Sequence, residues 1–176
     1  MTAQLGQRIV TPVAAVEPEI ARWLFILEDT RRRTLELLDG IAQAAIDWTP
    51  PEGANTIGTL LYHIPLIEAD YLYVDVLGLD DYPAELATVF PYSDRDEDGR
   101  LTVVSGVELG VHLQRMAWTR QWLLAAFAQM TLTAFRTPRT VPGYEITPEW
   151  TLHHLAQHEA EHRGQIGELR QRAERA

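Results

Sequence analysis

The stretch TPEWTLHHLAQHEAEHRGQI, residues 147–166, combines a helix start with a run of histidines. Thr147 is a good N-cap, and Pro148 suits the first helical position because its missing N–H would have no helical partner there. Four of the six histidines of the chain lie in this stretch, and three of them are spaced four residues apart. Residues at that spacing share one face of an α-helix. The stretch therefore predicts a helix, running to about Ala173, with an imidazole-rich face.

Three further stretches have the apolar spacing of amphipathic helices. These helices are predicted from about Pro18 to Ala45, from an N-cap at Asn55 to about Leu77, and from a capping box of Ser105 and Glu108 to about Met130. Four long helices, each with one apolar stripe, predict an all-α protein folded as a four-helix bundle. Long connections are expected after the second and third helices.

Length, charge and composition restrict the class of protein. We expect residues 1–176 to form one domain, with residues 1–16 as an N-terminal extension. A formal net charge of −10 opposes binding to nucleic acid. The sequence has no apolar run of membrane-spanning length and no signal-peptide pattern at its start, so we expect a cytoplasmic protein without a membrane partner. The chain contains no cysteine, which excludes disulfides and a thiol nucleophile of its own.

The histidines predict a metal site between two helices. His154, His158 and His162 share the face of the last helix that should turn towards the bundle interior. His63 lies on the apolar stripe of the second helix, close to Pro65, where we expect a kink. Bundles build metal sites from inward side chains on facing helices. The alternative is a structural bundle whose core histidines are satisfied without a metal.

Two segments resemble a known family. They are IDWTPPEGANTIGTLLYHIPLIEADYLY, residues 46–73, and TPEWTLHHLAQHEAEHRGQI. Both are similar to the DinB-like superfamily of DNA-damage-inducible four-helix bundles, which is related to mycothiol- and bacillithiol-dependent enzymes. The resemblance implies the bundle fold, frequent homodimers, and a divalent metal bound by three histidines. By position, these ligands are His63, His158 and His162.

The chemistry of such a site stays open between three functions. Neutral imidazole suits Zn²⁺, Ni²⁺, Cu and Fe, and we expect Zn or Ni. Three protein ligands with an open position are typical of catalytic metal sites. One function is an enzyme that activates a low-molecular-weight thiol for transfer to an electrophilic small molecule. The others are a metal-dependent hydrolase and a stress-related bundle that binds a metal or ligand without catalysis.

Other polar residues of the two helices are assigned by their position. We expect Gln165, His154 and Asp70 to orient the ligands or line the pocket. Glu159 and Glu161 lie to the side of the ligand face and are interpreted as solvated charges.

Several residues outside the ligand face are expected to be structural. His112 falls on a polar helix face and should be at the surface. Gly164 suggests a close helix–helix approach, and Trp150 should lie in the core or at an interface. The acidic stretch YSDRDEDGR, residues 92–100, lacks the spacing of a calcium loop and is interpreted as a solvated turn.

Overall fold

The computed structural model describes residues 9–53 and 55–176, and within them the chain is mostly helical. The helices are α1 (Pro18–Leu38), α2 (Gln43–Ile46), α3 (Ile57–Asp70), a π-helix (Tyr71–Val76), α4 (Ala84–Val89), α5 (Leu109–Ala128), α6 (Leu132–Arg136) and α7 (Pro148–Ala173). Two short antiparallel strands, β1 (Arg139–Val141) and β2 (Tyr144–Ile146), form a hairpin before α7. The first eight residues of the predicted N-terminal extension lie outside the described residues.

The four long helices α1, α3, α5 and α7 pack together as a bundle. Their apolar stripes meet in a core that contains Leu24, Leu27, Tyr62, Leu123, Phe127 and Leu155. The all-α bundle predicted from the sequence is confirmed, with long connections after α3 and its π-helix and after α5. Within the described part of the chain, no helix combines the length and apolar character needed to cross a bilayer.

Two of the predicted helix starts have clear physical causes. The amide of Trp150 donates to the Thr147 hydroxyl at 3.1 Å, which confirms the cap of α7. At the start of α3, the amide of Thr59 donates to the Thr56 hydroxyl at 3.0 Å. Thr56 is therefore the N-cap, and the expectation of Asn55 is wrong by one residue.

Two other predicted boundaries are wrong. The first helix ends at Leu38 instead of Ala45, because Gly40 takes a φ of +66° that a helix cannot contain. The capping box of Ser105 and Glu108 does not form. Glu108 itself has extended backbone before the first residue of α5, and its side chain makes no cap hydrogen bond.

The second predicted helix changes character at its end. Its last six residues, Tyr71–Val76, form a π-helix instead of α-helix. Gly78 then ends the segment with a φ of +65°. Pro65 lies inside α3, which continues through it, so the kink stays a prediction.

Four charged side chains, one from each long helix, form a buried ion-pair cluster. Arg31 of α1 bonds Glu68 of α3 and Glu159 of α7, each at 2.8 Å. Arg120 of α5 bonds the same two carboxylates, at 2.7 and 3.1 Å. All four residues are buried. The interpretation of Glu159 as a solvated charge is therefore wrong, because two arginines on other helices turn it into the core.

The buried ion-pair cluster satisfies its own charges. Arg31 also donates to the carbonyl of Met116 at 2.8 Å, and Arg120 donates to the carbonyl of Leu27 at 3.0 Å. Burial alone would raise the pKa of Glu68, but the charges and hydrogen bonds of both arginines outweigh it and hold that pKa below its usual value. Glu68 is thus kept ionised, and both carboxylates are paired with both arginines, which is the condition for keeping charge inside a protein.

Replacing Arg31 with methionine should destabilise the fold by about 3 to 5 kcal/mol, because two buried carboxylates then lose half of their positive partners. The measurement is urea unfolding followed by circular dichroism. The matched control is Arg33→Met on the same helix, since the side chain of Arg33 is exposed and pairs, among the described residues, with Asp29 of its own helix. Equal stability of the two variants would contradict the importance of the cluster.

His112 is buried, with only 1% of its surface exposed, so its predicted surface position is wrong. The polar face of α5 on which it lies turns inward, and Thr119 on that face is also buried. Neither ring nitrogen of His112 has a hydrogen-bond partner among the described residues. Burial, with a smaller effect of the charge on Arg115, lowers the pKa of His112 to about 4.

The His112→Leu variant should lose less stability in acid than the natural chain. Below pH 6.5 the unfolded chain gains a proton on this histidine, whereas the folded chain resists protonation until about pH 4. Stability is therefore lost as the pH falls through this window, by up to about 3 kcal/mol. Urea unfolding of metal-stripped protein at pH 7.5 and 4.5 measures the difference. The exposed His153→Gln variant is the control and should keep the natural pH dependence.

Candidate metal centre

Three histidines from two helices bring their Nε2 atoms together. His158 and His162 lie one turn apart on α7, and their Nε2 atoms are 3.1 Å from each other. The Nε2 atom of His63, from α3, lies 3.1 Å from that of His158. One nitrogen from each ring lies within 4.8 Å of the others, so the three could hold a metal ion. The helical spacing of α7 and the packing of α3 against it produce this convergence.

The outer nitrogens of two of these rings are held by acceptors. Nδ1 of His63 is 2.6 Å from a carboxylate oxygen of Asp94, and Nδ1 of His162 is 2.8 Å from the amide oxygen of Gln165. Burial works to raise the pKa of Asp94, but its hydrogen bond and charge interaction with His63 hold that pKa below its usual value. An ionised carboxylate only accepts, so the ring proton of His63 lies on Nδ1. The network assigns the same tautomer to His162.

Burial favours the neutral imidazole at His158 and His162. Burial, together with the neighbouring rings of His162 and His63, lowers the pKa of His158 to about 3. Burial also lowers the pKa of His162, although its hydrogen bond to Gln165 opposes the shift. A neutral imidazole has an unprotonated nitrogen that can bind a metal ion.

A bound metal ion would satisfy the three Nε2 atoms better than hydrogen bonds between the rings do. In the neutral form that can bind a metal, His63 and His162 each present Nε2 as an acceptor, and a neutral His158 has a single ring proton to offer them. One of the two contacts at 3.1 Å therefore lacks a proton. A cation satisfies all three lone pairs at once. Tetrahedral zinc with bonds of about 2.1 Å would separate its ligand nitrogens by about 3.4 Å, close to the separation of both pairs.

A loop from outside the bundle supplies Asp94. The hydroxyl of Tyr62, the neighbour of His63, donates to the carbonyl of Tyr92 at 2.6 Å and accepts from the amide of Tyr92 at 2.8 Å. At the other end of the loop, the amide of Val104 donates to the Thr59 hydroxyl at 3.1 Å. Both anchors lie on α3, so the helix that carries His63 also positions its carboxylate partner.

The close approach of this loop requires a glycine on α3. A Cβ on Gly58 would lie 2.8 Å from the carbonyl oxygen of Val104, well inside contact distance. The predicted close approach at Gly164 is absent, since a Cβ there would meet no atom within 4 Å. The glycine that permits close packing is therefore on the other ligand-bearing helix.

The remaining predicted site residues lie around the cluster. His154 does not join the three nitrogens, and its ring packs on Tyr71 and Trp150 with centroids 4.8 and 4.9 Å away. Asp70 accepts a hydrogen bond from the hydroxyl of Tyr82 and lines a cavity of about 290 Å³ that Asp94 also lines. Glu161 is exposed, as expected.

Asp94 is a candidate site residue that sequence reasoning missed. It lies in the acidic stretch 92–100, which was interpreted as a solvated turn. The rest of that stretch is exposed, but Asp94 is partly buried against His63. The available signal was the excess of carboxylates in a connection, together with a histidine that needs an acceptor for its second nitrogen.

The bundle and the three-histidine cluster define a helical protein with a candidate metal centre. The DinB superfamily model matches residues 26–166 of the chain, and this range includes all three histidines. The chain belongs to the DinB superfamily, as the resemblance of its two segments predicted. A comparison with curated proteins finds no match.

The Asp94→Ala variant should bind zinc about 10- to 100-fold more weakly, because the His63 ring loses the acceptor that orients it and fixes its proton. Competition of metal-stripped protein with a chromophoric chelator measures the affinity. Asp98→Ala is the matched control, since Asp98 lies in the same loop, is exposed and, within the described part of the chain, forms its ion pair with Arg100. If both variants keep the natural affinity, Asp94 has no part in metal binding.

Proposed function

We propose that this chain binds one divalent transition-metal ion through His63, His158 and His162 and uses it to activate a low-molecular-weight thiol. The single observation that carries the proposal is the convergence of three Nε2 atoms at a site where two of the rings have their outer nitrogens held by acceptors. Zinc or nickel is the expected ion, because neutral imidazole suits both. When bound, the ion supplies a Lewis acid that favours the thiolate form of a thiol.

The carboxylates around the cluster favour a thiol over water as the nucleophile. Asp94 is engaged by His63, and Glu159 is engaged by both arginines of the buried ion-pair cluster. Asp70 accepts from Tyr82, and Glu161 accepts from Gln157. These groups are poorly placed to take a proton from water. A thiol, with a pKa of about 8.5, loses its proton far more readily than water, so it needs less help from a base.

The thiol must come from a small molecule, since the chain has no cysteine. The reaction is a substitution in which the thiol sulfur forms a bond to an electrophilic carbon. The bond from that carbon to its leaving group breaks with the electron pair, and the thiol proton goes to solvent. The chain's own part is to hold three imidazoles in place, with Asp94 and Gln165 accepting hydrogen bonds from the Nδ1 atoms of two of them.

A homodimer and a cytoplasmic location belong to the same proposal. Exposed apolar side chains on α1 and α5, among them Leu35, Val111 and Trp122, support the association of two copies. The expected substrate is a small electrophilic molecule, and the net charge of −10 supports a partner other than nucleic acid.

The metal content of purified tag-free protein tests the site. We expect about one divalent ion per chain in the natural protein and almost none in His63→Ala and His158→Ala, because two imidazoles hold a metal far more weakly than three. Inductively coupled plasma mass spectrometry gives the metal-to-protein ratio. His153→Ala, an exposed histidine on the same helix, should keep the ion. A natural protein that takes up neither zinc nor nickel would refute the metal site.

Turnover by the metal-loaded protein then separates the three functions. Natural protein, given a thiol and a chloride-bearing fluorogenic electrophile, should form thioether faster than His158→Ala protein does. Ester or amide hydrolysis without added thiol would indicate a hydrolase instead. Bound metal without either activity would indicate a binding protein.

A further inference from the structure

A second candidate site lies outside the three-histidine cluster. It is a cavity of about 570 Å³ at the junction of the π-helix, the β-hairpin and the first turn of α7. Each of these elements contributes one aromatic side chain to its wall, namely Tyr71, Tyr144 and Trp150. The ring centroids of Tyr71 and Trp150 are 6.3 Å apart. We call this feature the aromatic cavity.

Two walls of the aromatic cavity are held in place by His154. Its ring stacks on Trp150 at an interplanar angle of 7°, and it also contacts Tyr71. Trp150 nevertheless keeps 46% of its surface exposed, although one of its faces is covered. An exposed tryptophan fixed by stacking presents its free surface to a ligand. Trp150 therefore does not lie in the core, and the alternative that it lies at an interface stays a prediction.

A buried carboxylate lies behind the third wall. Asp75, in the π-helix, is 2% exposed, and the hydroxyl of Tyr144 lies 3.2 and 3.4 Å from its two oxygens. Within residues 9–53 and 55–176, no arginine or histidine forms an ion pair with Asp75. Arg139 of β1 is bonded to the carbonyl of Val76. The sequence contains no lysine that could take this role.

The electrostatics of the aromatic cavity favour a positively charged occupant. Burial raises the pKa of Asp75, against the opposing effect of its hydrogen bond from Tyr144, and the charge of Asp70 adds to the rise. Glu145 contributes a further carboxylate to the lining. Aromatic faces attract cations, and a buried carboxylate without a cation is costly. A neutral aromatic ligand would use the rings and leave the carboxylates uncompensated, whereas a small cation would use both.

We propose that the aromatic cavity binds a small organic cation, a quaternary or tertiary ammonium group, between Tyr71, Tyr144 and Trp150 and near Asp75. This binding goes beyond the metal chemistry and does not require it. His154 lies between the two sites, since its ring centroid is 5.8 Å from that of His158. A molecule held by its ammonium group would therefore lie beside the three-histidine cluster. The π-helix agrees with this role, because such segments are frequent at functional sites.

Choline and its neutral isostere 3,3-dimethylbutan-1-ol test the charge requirement. Isothermal titration calorimetry of the full chain should show choline binding, with the isostere at least about tenfold weaker, as expected when cation–π and carboxylate interactions are lost. The Trp150→Leu and Asp75→Asn variants should each lose about tenfold or more in choline affinity. Trp122→Leu, which removes an equally exposed tryptophan from α5, should bind choline normally.

The proposal would be overturned by no choline binding, by equal binding of choline and the isostere, or by normal choline binding in Trp150→Leu. Because Trp150 is exposed, this last variant stays informative even if Asp75→Asn does not fold. Metal-stripped natural protein and His158→Ala should still bind choline. Loss of choline binding in either would place the cation at the histidines and also overturn the proposal. Failure of the metal site itself would leave the choline result unchanged.

Discussion

The buried ion-pair cluster is the constraint on which the rest of the structure depends. Arg31, Glu68, Arg120 and Glu159 come from four different helices, and each arginine reaches both carboxylates. A change in the rotation or translation of one helix would leave a buried charge unpaired, which is far more costly than an imperfect apolar contact. Such polar contacts restrict the register of a bundle more strongly than interchangeable leucines do.

The candidate metal centre inherits its geometry from this cluster. Glu159 follows His158 directly on α7, and Glu68 lies five residues after His63 on α3. Because Arg31 and Arg120 hold both carboxylates, they also hold the two helix segments that carry the histidines. Charge pairing in the core and nitrogen convergence at the edge are thus consequences of the same helix register.

The sequence predicted features that depend on local spacing. The long helices follow from apolar periodicity, and the shared face of His158 and His162 follows from their separation by one turn. It could not predict partners supplied by distant segments. Glu159 looked solvated because its two arginines lie on other helices. His112 looked exposed because it falls on a polar helix face, but Thr119 on that face is buried with it. Asp94 lies 31 residues after His63 in a connection whose course no periodicity describes.

The anchoring of the Asp94 loop on α3 has a thermodynamic consequence. Tyr62 and Thr59 hold the loop at both ends, and the absence of a side chain at Gly58 lets it lie flat on the helix. The loop in turn orients His63. Docking of the loop would therefore strengthen ion binding, and ion binding would strengthen docking of the loop by the same free energy. Ion uptake would protect this connection from proteolysis, and a cut in the connection would release the ion. The rate at which a protease cuts this surface loop would therefore depend on whether an ion is bound at the three histidines.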